Sequence, residues 1–179
     1  MSEVADRYRN VAAGFTRVVE AVPADGWDRP APCEGWVARD VVRHLVEVAG
    51  MFRSGVTEPG PSVDDDPAGA WAAVRDSTQA ALDDPAVATA EMETPMGTAT
   101  LESMMGRFGL PDLLIHTWDL ARATGVDETL DQDEVARVYE AMLPMDEHLR
   151  GGTSFGAKVE VADDADVQTK LLAFTGRRP

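Results

Sequence analysis

The sequence predicts an all-α protein, a bundle of amphipathic helices, and three observations lead there. Apolar residues recur at spacings of three and four through the substantial stretches of the 179 residues, a period that gathers them on one face of a helix. Nowhere do apolar and polar residues alternate long enough to build a credible sheet. The composition, 44% hydrophobic and 27% charged, is that of an ordinary globular chain with enough apolar surface for a core. A single domain over residues 1–179 is therefore expected, without internal repeats.

The first helix covers residues 4–22, where Val4, Tyr8, Val11, Ala12, Phe15, Val18, Val19 and Val22 share a face. Pro23 ends it, because the residue before a proline is steered out of the α region. Residues 25–35, rich in glycine and proline, form a loop into a second helix over 37–54, with Val37, Val41, Val42, Leu45, Val46, Ala49 and Phe52 inward. The run E-P-G-P-S-V-D-D-D-P crosses the surface as a loop. Trp71, Val74, Thr78, Ala81 and Leu82 mark a shorter third helix, and V-A-T-A-E-M-E-T-P-M-G-T-A-T fits either an extended arm or a short hairpin.

Residues 101–124 are helical through Leu101, Met104, Met105, Phe108, Ile115, Leu120 and Ala123. Gly109 and Pro111 interrupt the pattern, so that Pro111 either kinks one helix or begins a new one, and Gly125 suits the left-handed position that closes it. A further helix spans 133–148 with Val135, Val138, Tyr139, Met142 and Leu143 inward. The tail holds a glycine-rich turn, a short strand in A-K-V-E-V-A, and a last helical turn or two in V-Q-T-K-L-L-A-F.

Thirty-two acidic residues (Asp+Glu 32) against 16 basic ones leave a formal charge of −16, which repels phosphate backbones and anionic lipid; neither nucleic acid nor a membrane is an expected partner. The N-terminal residues lack the apolar core of a signal segment, and no run of about 18 apolar residues occurs. With one cysteine, Cys33, no internal disulfide can form. The cytoplasm is the expected compartment.

The feature richest in chemistry is G-L-P-D-L-L-I-H-T-W-D-L-A-R-A-T-G, since a helix through it sets Asp112 and His116 one turn apart on one face. A carboxylate and an imidazole so placed can share a metal ion, and His44 on the second helix is the better of the two remaining histidines as a third ligand. Two imidazoles and a carboxylate leave coordination positions open, unlike a closed structural site. The same residues also admit plainer roles. His44 can be a hydrogen-bonded core histidine, Asp112 an acid at a helix N-terminus, and His116 a partner of Asp119, which could equally orient a metal-bound ring. Glu47 is expected to be solvated and His148 to cap its helix C-terminus. Cys33, eleven residues before His44, is too far along a helix rising about 1.5 Å per residue to share an ion with it, and reads as a small packed residue. Trp118, Met104 and Met105 are expected in the core, and Arg39, Arg43, Arg107 and Arg122 on the surface.

The segments P-C-E-G-W-V-A-R-D-V-V-R-H-L and L-P-D-L-L-I-H-T-W-D-L-A-R-A-T-G, with L-L-A-F-T-G-R-R-P at the end, resemble the DinB-like superfamily. In particular they are similar to the actinobacterial metal-binding domain of mycothiol-dependent maleylpyruvate isomerase. The resemblance implies an up-down-down-up four-helix bundle with a short C-terminal extension, and a divalent metal on His44, Asp112 and His116. Zinc comes first, with nickel, iron or manganese as alternatives. It also implies a low-molecular-weight thiol as co-substrate, a small electrophile as substrate, and transferase or isomerase chemistry; a homodimer is the expected assembly. The alternative is a helical module that binds or senses a metal or ligand without turnover. Asp112 stands where the isomerase-type domain resembles Glu-x-x-x-His, one methylene shorter. The tail after His148 is short beside that enzyme's additional domain, so maleylpyruvate isomerisation itself is not the expected reaction.

Overall fold

The computed structural model describes residues 2–52, 60–94, 97–150 and 155–179. Most of its helices begin where a side chain can satisfy the unpaired N–H groups of a first turn. Ser2 accepts from the Ala5 N–H at the head of α1 (Glu3–Ala21). At the entry to α2 (Ala38–Phe52), the Asp40 carboxylate reaches back to the Val37 N–H at 2.9 Å. Asp66 accepts from Gly69 and Pro67 fills the first turn of α3 (Pro67–Asp83), which therefore starts a turn earlier than its apolar pattern suggested. The expected continuation of the second helix to Ser54, the first residues of the acidic loop and part of the glycine-rich turn at 151–152 lie outside the described residues.

After a single turn, α4 (Pro85–Ala88), the ambiguous stretch proves to be a hairpin: β1 (Glu91–Thr94) pairs antiparallel with β2 (Gly97–Thr100), Thr94 opposite Gly97. A capping box between Thr100 and Ser103 then starts α5 (Leu101–Met104). A π-helical stretch, Met105–Gly109, carries the chain without a gap into α6 (Leu110–Thr124), whose first turn holds Pro111. Proline has no N–H for the carbonyl four residues back and its ring crowds that carbonyl. The wider turn just ahead, in which the Leu110 N–H bonds to Met105 O, absorbs the mismatch. Gly125 closes α6 at φ 76°, its N–H on Ala121 O at 2.8 Å.

The chain folds as two compact units, Met1–Glu128 and Thr129–Pro179. In the first, α1 and α2 each pack against both α3 and α6. Phe15, Val41, Val42, Trp71, Leu110, Ile115 and Trp118 fill the space between them. Phe15 meets Trp71 edge to face at 4.6 Å, and the Trp71 indole N–H donates to Thr16 Oγ1. The all-α expectation holds; among the described residues the two-stranded hairpin is the whole of the sheet.

In the second unit α7 (Gln132–Met142) packs against α9 (Val167–Phe174), with Tyr139 edge-on to Phe174. Here two expectations fail. The helix over 133–148 is broken by Pro144 into α7, a 3-10 turn (Leu143–Met145) and α8 (Asp146–Arg150), which leaves Leu143 exposed. A-K-V-E-V-A is no strand, because among the described residues no neighbouring strand pairs with it; the Val159 N–H bonds instead to Ala173 O. Among the described residues no helix is long and apolar enough to cross a membrane.

Candidate metal centre

Because α2 lies against α6, His44 faces the turn of α6 that carries Asp112 and His116. His44 Nε2 is 3.1 Å from Asp112 Oδ2, and His116 Nε2 is 3.4 Å from Asp112 Oδ1. The three donor atoms lie within 4.8 Å of one another. The two imidazole rings stand 4.7 Å apart at a steep angle, each with a ring nitrogen on the shared carboxylate. The cluster is closed on one side only: the His116 side chain is 7% exposed, those of His44 and Asp112 29% and 31%.

Charge is concentrated here. Burial works to raise the Asp112 pKa, but the hydrogen bonds from His116 and His44 outweigh it and hold the carboxyl well below its usual range. Burial likewise works to lower the His116 pKa, and Asp112, Asp119 and Cys33 together raise it well above the ordinary 6.5. Asp112 is thus ionised at neutral pH, and without a cation the His116 ring carries the balancing proton.

Behind the cluster the second ring nitrogen of His116, Nδ1, lies 2.9 Å from Oδ2 of the fully buried Asp119, yet off line, so that it makes no well-directed hydrogen bond. Cys33 Sγ–H points to the same Asp119 oxygen at 3.5 Å. The sequence treated Cys33 through its helical distance from His44, and the two indeed fall in different groups; but Cys33 belongs to a loop and reaches Asp119 and His116 rather than merely filling space. A tight turn puts it there: the Trp36 N–H bonds to Cys33 O, and Gly35 at φ 77° takes the position that demands a positive φ. The same turn lays Trp36 nearly parallel to the His116 ring at 5.8 Å and 5.2 Å from His44. Trp36 carries no periodic signal, being in a loop, and only its contacts reveal it as a wall of the site.

The remaining polar residues stand apart. Glu47 is exposed. Arg39 binds Asp28 and the Asp64 carbonyl, Arg43 binds Asp40 and Asp64, and Arg122 binds Glu128 while lying over Trp118. Arg107 sits over Phe108. Trp118 and Met105 are buried as expected, Met104 half-buried. The side chain of His148 lies outside the described residues.

A helical bundle that gathers two imidazoles and a carboxylate against a tryptophan defines a class, that of helical proteins with a donor set for a divalent cation. Residues 8–69 match the model of the mycothiol maleylpyruvate isomerase N-terminal domain, as the resemblance implied; the match includes His44 and ends before Asp112. Over 168 residues the chain is 29% identical to the uncharacterized protein Rv0738 of Mycobacterium tuberculosis strain H37Rv, covering 91% of each chain. It is equally similar to the uncharacterized protein MT0763 of strain CDC 1551. These relatives are actinobacterial, in line with the resemblance. No solved structure matches.

Proposed function

We propose that this chain binds a divalent metal through His44 Nε2, the Asp112 carboxylate and His116 Nε2, and uses a low-molecular-weight thiol of the mycothiol type in transfer to, or isomerisation of, a small electrophile. The observation that carries the reading is the convergence of those donors within 4.8 Å from two helices. The donor set fits the cation chemically: one ionised carboxylate and two imidazoles suit zinc, and also nickel, iron or manganese. When bound, the cation supplies Lewis acidity and favours the deprotonated form of a thiol at neutral pH.

The chain's own residues assign the rest. Asp112, already ionised, brings its charge without a proton to lose. Asp119 sits where it can orient the His116 ring from behind, and Trp36 screens both rings from water. Thiol and substrate approach on the side where His44 and Asp112 are half-exposed. A small cavity, apolar through Leu45, Val74 and Met105, borders Asp112 and includes Thr78, whose buried hydroxyl has no hydrogen-bond partner among the described residues. The cytoplasm, where such thiols stay reduced, is the compartment we assign.

His116→Ala tests the assignment. The variant, purified without a histidine tag, is expected to lose its metal by elemental analysis with little loss of helicity, and to lose metal-dependent addition of the thiol to an electrophile. A full equivalent of zinc or nickel retained by it would refute the ligand set.

A further inference from the structure

The second face of His116 is built from different donors. We propose that the chain holds a second divalent cation there, bound by Cys33 Sγ, the Asp119 carboxylate and His116 Nδ1. These donor atoms lie within 4.8 Å of one another, Sγ 3.5 Å and Nδ1 2.9 Å from Asp119 Oδ2. Separations of that order are what donors around one ion show when each bond is roughly 2.0–2.3 Å long.

Two features favour an ion over a hydrogen-bonded cluster. His116 is 6% exposed, and its Nδ1 is buried without a well-directed hydrogen bond although acceptors surround it. A buried polar nitrogen left so is costly unless something else partners it. Finally, the two nitrogens of an imidazole point away from each other, so Nδ1 can serve this ion while Nε2 serves His44 and Asp112.

The charges close as well. The four positive charges of two divalent ions are balanced by Asp112, Asp119, the thiolate of Cys33 and the deprotonated ring of His116; the thiol proton and the ring N–H proton pass to solvent as the second ion enters. A thiolate in the set gives this site a softer character than the first and suits zinc, cobalt or cadmium.

Cobalt(II) tests this directly, because Cys33 is the single cysteine and any sulfur-to-cobalt charge-transfer absorption has one source. The full-length protein, tag-free and stripped with a chelator, is titrated with cobalt alone while bound metal is counted by equilibrium dialysis. The wild type is expected to bind two equivalents and to develop the charge-transfer band. Cys33→Ser is expected to fall to one equivalent and lose the band; His44→Ala falls to one equivalent and keeps it. Absence of the band from the wild type overturns the second site without need of any variant, and so does retention of both equivalents by Cys33→Ser. A wild type that binds one equivalent without the band, and loses it in His44→Ala, upholds the first site and sinks the second. If the band and full stoichiometry survive in His44→Ala, the second site stands and the ligand set proposed above fails.

Discussion

At the level of single side chains, the cluster around Asp112 ties stability to pH in the metal-free protein. His116 has a folded-state pKa raised well above 6.5, so its contribution is fully present below 6.5 and is lost as pH rises through the raised value. Asp112 is depressed, so its contribution is present above the ordinary carboxylate value and is lost as pH falls toward its folded value. Both shifts report largely one interaction and are counted once. With chelator present, the urea midpoint of the wild type is expected to decline on the alkaline side of neutrality, and that decline is expected to vanish in His116→Gln. A wild-type midpoint that holds steady or rises there would mean the ring is neutral and the pairing misassigned. The pair Asp112 and His116 was legible from spacing alone because helical geometry makes i and i+4 neighbours. That His44 meets them was not, since nothing local to the second helix states which helix it packs on.

At the level of elements, the ends were easier to read than the joins. Gly125 and Pro23 announce where helices stop because each acts through its own backbone. Gly125→Ala forces a side chain into a left-handed position at φ 76° and is expected to cost about 1–2 kcal/mol in denaturant melts, with the α-helical signal otherwise kept. No loss would mean that α6 frays at its end and Gly125 closes nothing. The join at Met105–Gly109 was ambiguous for a physical reason. A proline's missing bond can be met by a break, a kink or a wider turn, and the packing of neighbouring helices selects among them. Pro144 acts by the same chemistry, but the apolar pattern of Val135, Val138, Met142 and Leu143 masked it. The hairpin and the absent strand at A-K-V-E-V-A show the corresponding rule for extended chain. A strand exists only with a partner, and Glu91–Thr94 has one in Gly97–Thr100, two residues further on.

For the molecule as a whole, two collective quantities can be tested. Phe15 is fully buried and edge to face with Trp71, so Phe15→Ala is expected to destabilise by about 3–5 kcal/mol through lost burial and the cavity left behind, read from the shift in denaturant midpoint. A loss well below that range would show that the surrounding helices collapse into the space. The charge of −16 is unevenly offset by exposed pairs such as Arg9 with Asp6 and Asp83 or Arg43 with Asp64, and exposed pairs contribute little each. Self-repulsion should dominate. The thermal midpoint is expected to rise as sodium chloride is added from low ionic strength; a fall would mean that the pairs outweigh the repulsion.

Class, helix faces, most helix ends and the Asp112/His116 pair follow from neighbours in the chain, because a helix turns a short-range pattern into a surface. Which surfaces meet is a long-range matter, and it placed His44 Nε2 against Asp112, Trp36 over both rings, and Cys33 behind His116 beside Asp119. A periodic pattern states what must be buried but not against what. The geometry of these candidate donors therefore depends on how α2, α6 and the turn at Cys33–Trp36 pack together.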